Sequence, residues 1–123
     1  MSRRILLAED EEFIARLYKK ELERHDTEVF AVHNGQEAID VLRTQKMDLV
    51  LLDLLMPDVD GYAVLSYCKA NTIRIPVVVV LTNLSGDISR KKCRELGAED
   101  YIVKSDTDAA GVWEKVRKFL PVS

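Results

Sequence analysis

The sequence predicts a doubly wound α/β domain in which five parallel strands are covered by helices on both faces. Three observations predict it. Short apolar runs alternate five times with segments of helical period. The runs are apolar at consecutive positions, as in strands buried on both faces of a parallel sheet. One of them, Val77-Val78-Val79-Val80-Leu81, is β-branched enough to settle strand over helix. Repeated βα units with right-handed crossovers close into the doubly wound arrangement. Five strands give the flavodoxin-like (βα)5 order, 2-1-3-4-5.

The first strand is Arg4 to Ala8, around Ile5-Leu6-Leu7. Helical period follows from Glu12 to His25, with Ile14, Leu17, Tyr18 and Leu22 on one face. Thr27 to Val32 is a second, weaker strand. Asn34 reads as an N-cap, with Glu37 closing a capping box and Ala38, Ile39 and Leu42 forming the apolar stripe. Asp48 to Asp53 is the third strand, and a loop from Pro57 to Gly61 leads to a helix bearing Val64, Leu65 and Cys68. Pro76 opens the fourth strand. A helix from about Asp87 to Leu96 ends at Gly97, the expected C-cap. Asp100 to Lys104 is the fifth strand, and a last helix from Asp108 to Leu120 carries Val112, Val116, Phe119 and Leu120 before Pro121 stops it.

A chain of 123 residues has room for one domain, read here as residues 1–123. Area scaling gives a folded surface of about 6,700 Å² against about 20,300 Å² unfolded, enough burial to need no disulfide or structural metal. Apolar residues at 47% with charged residues at 32% exclude intrinsic disorder. The net charge of −3 offers no basic excess for phosphates, so no nucleic-acid binding by this chain is expected. No apolar run is long enough to span a membrane, and Arg3 and Arg4 precede no leader-like stretch. A soluble cytoplasmic location is expected. Cys68 and Cys93 have no metal-ligand or redox spacing and read as small, partly buried hydrophobes. His25 and His33 sit near element ends with no partner motif.

In an open α/β sheet the chemistry lies beyond the carboxyl ends of the strands. The first strand ends in Glu9-Asp10, the third in Asp53, the fourth in Thr82 and the fifth in Lys104. Taken alone, the acidic run from Glu9 to Glu12 reads equally well as a solvated helix start. Asp53, Thr82 and Lys104 would each be unremarkable singly, but together they fall at matching strand ends. Three carboxylates on one rim repel one another, and a hard divalent cation such as Mg²⁺ relieves that repulsion. Lys104 adds a fixed positive charge and Thr82 a hydroxyl. Such a constellation suits transient phosphoryl transfer onto a carboxylate, with Asp53 central.

These residues resemble the receiver domain of bacterial two-component response regulators over essentially the whole chain. The resemblance rests on Ile5-Leu6-Leu7-Ala8-Glu9-Asp10-Glu11, Asp48 through Pro57 with Asp60-Gly61, Val80-Leu81-Thr82, Leu96-Gly97-Ala98-Glu99-Asp100-Tyr101 and Lys104. It implies that Asp53 accepts a phosphoryl group from a sensor histidine kinase or phosphotransfer protein. It implies Mg²⁺ ligation by Asp10, Asp53 and the carbonyl of Leu55, with Glu9 acting through a bound water. Thr82 and Lys104 would hold the phosphoryl oxygens. Tyr101, otherwise readable as a half-buried strand tyrosine, would turn inward as Thr82 moves, remodelling the fourth helix, fifth strand and fifth helix for a downstream protein or a second copy of the chain. The function expected is that of a phospho-accepting signalling module, with only self-phosphorylation and slow autodephosphorylation as activity. No output segment is expected within these residues.

The chain departs from the family pattern twice. Ser105 stands where proline usually follows the active-site lysine, and a trans peptide is expected there because cis before serine costs about 2.5–4 kcal/mol. Asn83 stands where a small residue usually follows the threonine, and it is bulky enough to restrict access to the site. Three rival readings stand beside the receiver. A haloacid dehalogenase-type phosphatase needs a general acid two residues after its nucleophile, where this chain has Leu55. An FMN binder needs a phosphate loop after the first strand, where Glu9 to Glu12 would repel phosphate. A pseudo-receiver scaffold would need no phosphorylation at all.

Overall fold

Residues 3–74 and 77–122 are described by a computed structural model of the chain. The strands are β1 (Arg3–Ala8), β2 (Thr27–Val32), β3 (Leu49–Leu52), β4 (Val78–Thr82) and β5 (Asp100–Val103). The helices are α1 (Glu12–Glu23), α2 (Gly35–Thr44), α3 (Gly61–Ala70), α4 (Asp87–Glu95) and α5 (Ala109–Val116). All neighbouring strands are parallel, in the order β2-β1-β3-β4-β5, as the alternation of the sequence requires.

Side-chain alternation along the strands divides the core in two. Ile5, Leu7, Leu49, Leu51, Val79, Leu81 and Ile102 pack with α1 and α5. Leu6, Ala8, Val50, Leu52, Val80, Tyr101 and Val103 pack with α2, α3 and α4 on the other face. Both sets are buried, which is why the strands read as unbroken apolar runs.

The helix termini follow their sequence signals closely. Asn34, Asp60 and Asp108 each accept a backbone N–H of the first turn through the side chain. The reciprocal bond expected of Glu37 reaches the N–H of His33, one residue before the cap. Gly97, at φ 103°, ends α4 with Gly97 N–H bonded to Arg94 O and Ala98 N–H to Cys93 O, a Schellman arrangement.

Some boundaries differ. β3 is shorter than Asp48 to Asp53; the two aspartates flank it, with their carboxylates accepting the backbone N–H groups of Arg4 and Leu55. Lys104 opens a short 3₁₀ turn, Lys104–Asp106, instead of ending β5. The last helix is Ala109–Val116 followed by a 3₁₀ turn, Arg117–Phe119. Leu17 is 47% exposed, because the buried arc of α1 is only as wide as Ala15, Tyr18 and Leu22. Cys68 and Cys93 are buried. The proline expected to open the fourth strand, Pro76, lies outside the described residues. Among the described residues no peptide bond is cis, and no helix is long and apolar enough to cross a membrane.

Candidate functional site

The parallel ladder sets the rim. Ala8 pairs with Leu52 and Leu52 with Val80, so the residues following β1 and β3 and the last residue of β4 emerge on one side. Backbone bonds extend this alignment past the strands, from Glu9 N–H to Val32 O and from Asp53 N–H to Ala8 O. Gly61 keeps α3 close behind. A Cβ there would lie 2.4 Å from the Asp53 carbonyl oxygen and 2.7 Å from Leu54 Cα, so a side chain would force the helix away from the site.

Glu9, Asp10 and Asp53 present carboxylate oxygens within 4.8 Å of one another. Glu9 and Asp53 are buried, while Asp10 is exposed. Lys104 reaches in from the turn after β5, donating to Asp53 Oδ2 at 2.6 Å and also to Glu9 Oε1. The remaining oxygens are tied locally: Glu9 Oε2 accepts the Glu11 N–H at 3.0 Å and Asp53 Oδ1 the Leu55 N–H at 3.1 Å. His33 Nδ1, in its protonated tautomer, donates to the Glu9 carbonyl at 3.1 Å.

Burial pushes the Glu9 carboxyl above its ordinary value, and hydrogen bonds from Lys104 and the Glu11 N–H only partly offset this. Burial also works against the charge on Lys104. Hydrogen bonds to Asp53 and Glu9 outweigh that cost and raise its pKa. Three carboxylates around one ammonium leave two formal negative charges when all are ionised. This set of hard oxygen donors, two of them buried, fits Mg²⁺ in charge and donor type.

Thr82 is fully buried, and its hydroxyl accepts the Leu84 N–H at 3.3 Å rather than bonding Asp53. The Leu55 side chain is 55% exposed and offers no acid. Tyr101 points inward from β5 and is 9% exposed. Its hydroxyl donates to the Leu84 carbonyl and lies 2.8 Å from Ser89 Oγ, which is 2.6 Å from the Tyr62 hydroxyl. Since the carbonyl can only accept, the chain has one direction: Tyr62 donates to Ser89, Ser89 to Tyr101, and Tyr101 to Leu84. Ser89 and Tyr62 were not legible as site residues. The available signal was Ser89 lying four residues before Cys93, which marks the buried stripe of an otherwise charged helix.

A family model described as the response regulator receiver domain matches residues 5–112. The transcriptional regulatory protein PhoP of alkaline phosphatase synthesis from Bacillus subtilis is 34% identical over 104 residues, covering 85% of this chain and 43% of that protein. The transcriptional regulatory protein SrrA of Staphylococcus aureus is 38% identical over 104 residues, covering 85% of this chain and 42% of that protein. The chain thus spans less than half the length of these relatives. The signal receiver domain of a putative Luxo repressor protein from Vibrio parahaemolyticus superimposes with a TM-score of 0.88 at 29% identity, covering 97% of this chain and 90% of that one. The BeF3-activated receiver domain of DrrB, from Thermotoga maritima, gives 0.83 at 26% identity, covering 97% of both chains.

Proposed function

The chain belongs to the response regulator receiver domain family, and on that premise we propose that it is a single receiver module, residues 1–123, accepting a phosphoryl group on Asp53. The donor is a phosphohistidine of a sensor kinase or phosphotransfer protein. The observation that carries this reading is the buried Asp53 carboxylate, held at 2.6 Å by Lys104 beside Glu9 and Asp10.

An oxygen of Asp53 attacks phosphorus, the phosphorus–nitrogen bond breaks, and the imidazole leaves with a proton from solvent. Asp10, Asp53 and the Leu55 carbonyl would hold Mg²⁺, with Glu9 acting through a water. When bound, the ion offsets the repulsion between these carboxylates and an incoming phosphoryl group. Lys104 already shares its hydrogens between two carboxylates, so one can pass to a phosphoryl oxygen without the charge leaving the rim. Thr82 uses its hydroxyl only as an acceptor, from the Leu84 N–H, so its hydrogen is free to turn to another phosphoryl oxygen in a charge-assisted bond. That movement pulls on the loop whose Leu84 carbonyl anchors Tyr101. The α4–β5–α5 face is then where a downstream protein, or a second copy of the chain, reads the phosphorylated state.

The test is incubation with acetyl phosphate and intact-mass detection. One phosphoryl group should appear with Mg²⁺ and none after chelation, and Asp53→Asn should abolish labelling. Mg²⁺ alone should raise the melting temperature, because it binds only the folded state, and Asp10→Asn should remove most of that shift. Labelling that persists in Asp53→Asn overturns the assignment.

A further inference from the structure

The two positions at which this chain departs from its family's pattern meet in space. Ser105 donates its backbone N–H to Asn83 Oδ1 at 3.0 Å, across 22 positions of sequence. Neither half of this bond exists in the usual pattern: a proline has no N–H to give, and a small residue has no amide oxygen to receive it.

Its place in the sheet gives the bond its consequence. The β4–β5 ladder ends at the pair Thr82–Val103. Asn83 and Lys104 are the next residues outward, and Ser105 follows. The Asn83 side chain therefore continues the pairing of the two strands past their last backbone pair. Lys104 lies between the end of that ladder at Val103 and the bond at Ser105, and its own carbonyl accepts the Thr107 N–H at 3.3 Å. On the other side, the loop after Thr82 is held at two successive residues, at Asn83 by Ser105 and at Leu84 by the Tyr101 hydroxyl. Asn83, Lys104 and Ser105 also line an open cavity of about 210 Å³, together with Glu11, Ile14 and Tyr18.

We propose that Asn83 is a positioning residue that clasps the turn carrying Lys104 to the loop carrying Thr82, so that the two phosphoryl-binding groups move as one unit. The proposal rests on the phosphoacceptor reading of the site. Without the clasp, Lys104 keeps its ion pairs but loses the tether that aligns it with Thr82. The carboxylates are untouched, so binding of Mg²⁺ alone is unaffected.

A double-mutant cycle tests this, using Asn83→Ala, Ser105→Pro and the two combined. Three quantities are measured: calorimetric affinity for beryllofluoride at saturating Mg²⁺, exchange of the Ser105 amide proton where it is present, and the thermal shift produced by Mg²⁺ alone. Asn83→Ala should weaken beryllofluoride binding about threefold, the low end for one hydrogen bond because both residues are exposed. The same change should speed Ser105 amide exchange and leave the thermal shift by Mg²⁺ alone at its parental size. Asn83→Asp, which keeps the acceptor, should restore slow exchange. Ser105→Pro should cost less affinity in the Asn83→Ala background than in the parent, since the bond is already gone. An equal cost in both backgrounds, or Ser105 exchange indifferent to Asn83→Ala, overturns the clasp while leaving the receiver reading intact. A parent protein that binds no beryllofluoride with Mg²⁺ present overturns both.

Discussion

Helices α5 and α4, on opposite faces of the sheet, are held by different means. On one, α5 inserts Val112, Trp113 and Val116 into the core, and α1 inserts Ala15, Tyr18 and Leu22. His25 stacks on Trp113 with ring centroids 4.3 Å apart. On the other, α4 buries only Ser89 and Cys93, while Ile88 stands 88% exposed. Its other ties are polar: Ser89 bridges Tyr62 of α3 and Tyr101 of β5, Lys69 of α3 donates to the Glu95 carbonyl, and Arg90 and Lys92 lie over the Tyr101 and Tyr62 rings. Apolar burial is proportional to area and cannot be exchanged for another contact without cost. Hydrogen bonds can be traded, one partner for another of similar energy. A fold that must stay intact while one helix shifts is served by this division, with the tradable contacts on the helix next to the Thr82 loop.

The largest effects should therefore come from the α1–α5 side. Trp113→Ala empties a buried site beneath His25 and should cost about 3–5 kcal/mol in denaturant unfolding. Ile88→Ala should fall within about 0.5 kcal/mol of the parent. A comparable loss at the two positions would mean that α4 is packed as firmly as α5, and the contrast between the faces would be lost.

Ser89→Ala comes next. It leaves the hydroxyls of Tyr62 and Tyr101 each without one partner, at a cost of about 1–2 kcal/mol if water does not replace it. Tyr101→Phe removes an adjacent link in the same chain, so the double mutant should be less destabilised than the sum of the singles. Strict additivity in equilibrium unfolding would show that Ser89 and Tyr101 act separately.

Most of the architecture and the rim were legible because the strands are buried on both faces and end in polar residues. Asp53 after Leu49 to Leu52, and Thr82 after Val78 to Leu81, mark the points where the core stops and the rim begins. The ends of β5 and α5 were less legible, since a 3₁₀ turn keeps the local pattern of a strand end or a helix while changing its hydrogen bonding. Leu17 misled because an apolar side chain on a helix is no guarantee of a partner. Beyond the four-residue spacing of Ser89 and Cys93, the hydroxyl chain and the contact of Asn83 with Ser105 carry no periodic signal. They join residues 12 to 27 positions apart whose proximity exists only once the strands are paired and the helices docked.

The smallest effect is also the most direct probe of α4. Burial pushes the Cys93 thiol up, and the neighbouring Ser89 hydroxyl and Lys92 charge only partly offset this. With its side chain closed into the core, the thiol is both inaccessible and poorly ionised, and reacts slowly with a disulfide reagent. In a Cys68→Ala background, Cys93 is the remaining thiol, and its labelling rate at low reagent reads how often α4 opens. If α4 opens locally, Ser89→Ala should speed labelling about fivefold, the low end of the cost of losing both Ser89 bonds. A conservative α5 change such as Val116→Ala should lower global stability yet leave the rate nearly unchanged. Labelling that instead follows global stability in both variants would show that Cys93 is reached only by complete unfolding. The two faces would then open together, and the hydroxyl chain would hold α4 no more loosely than the aromatic and aliphatic contacts hold α5.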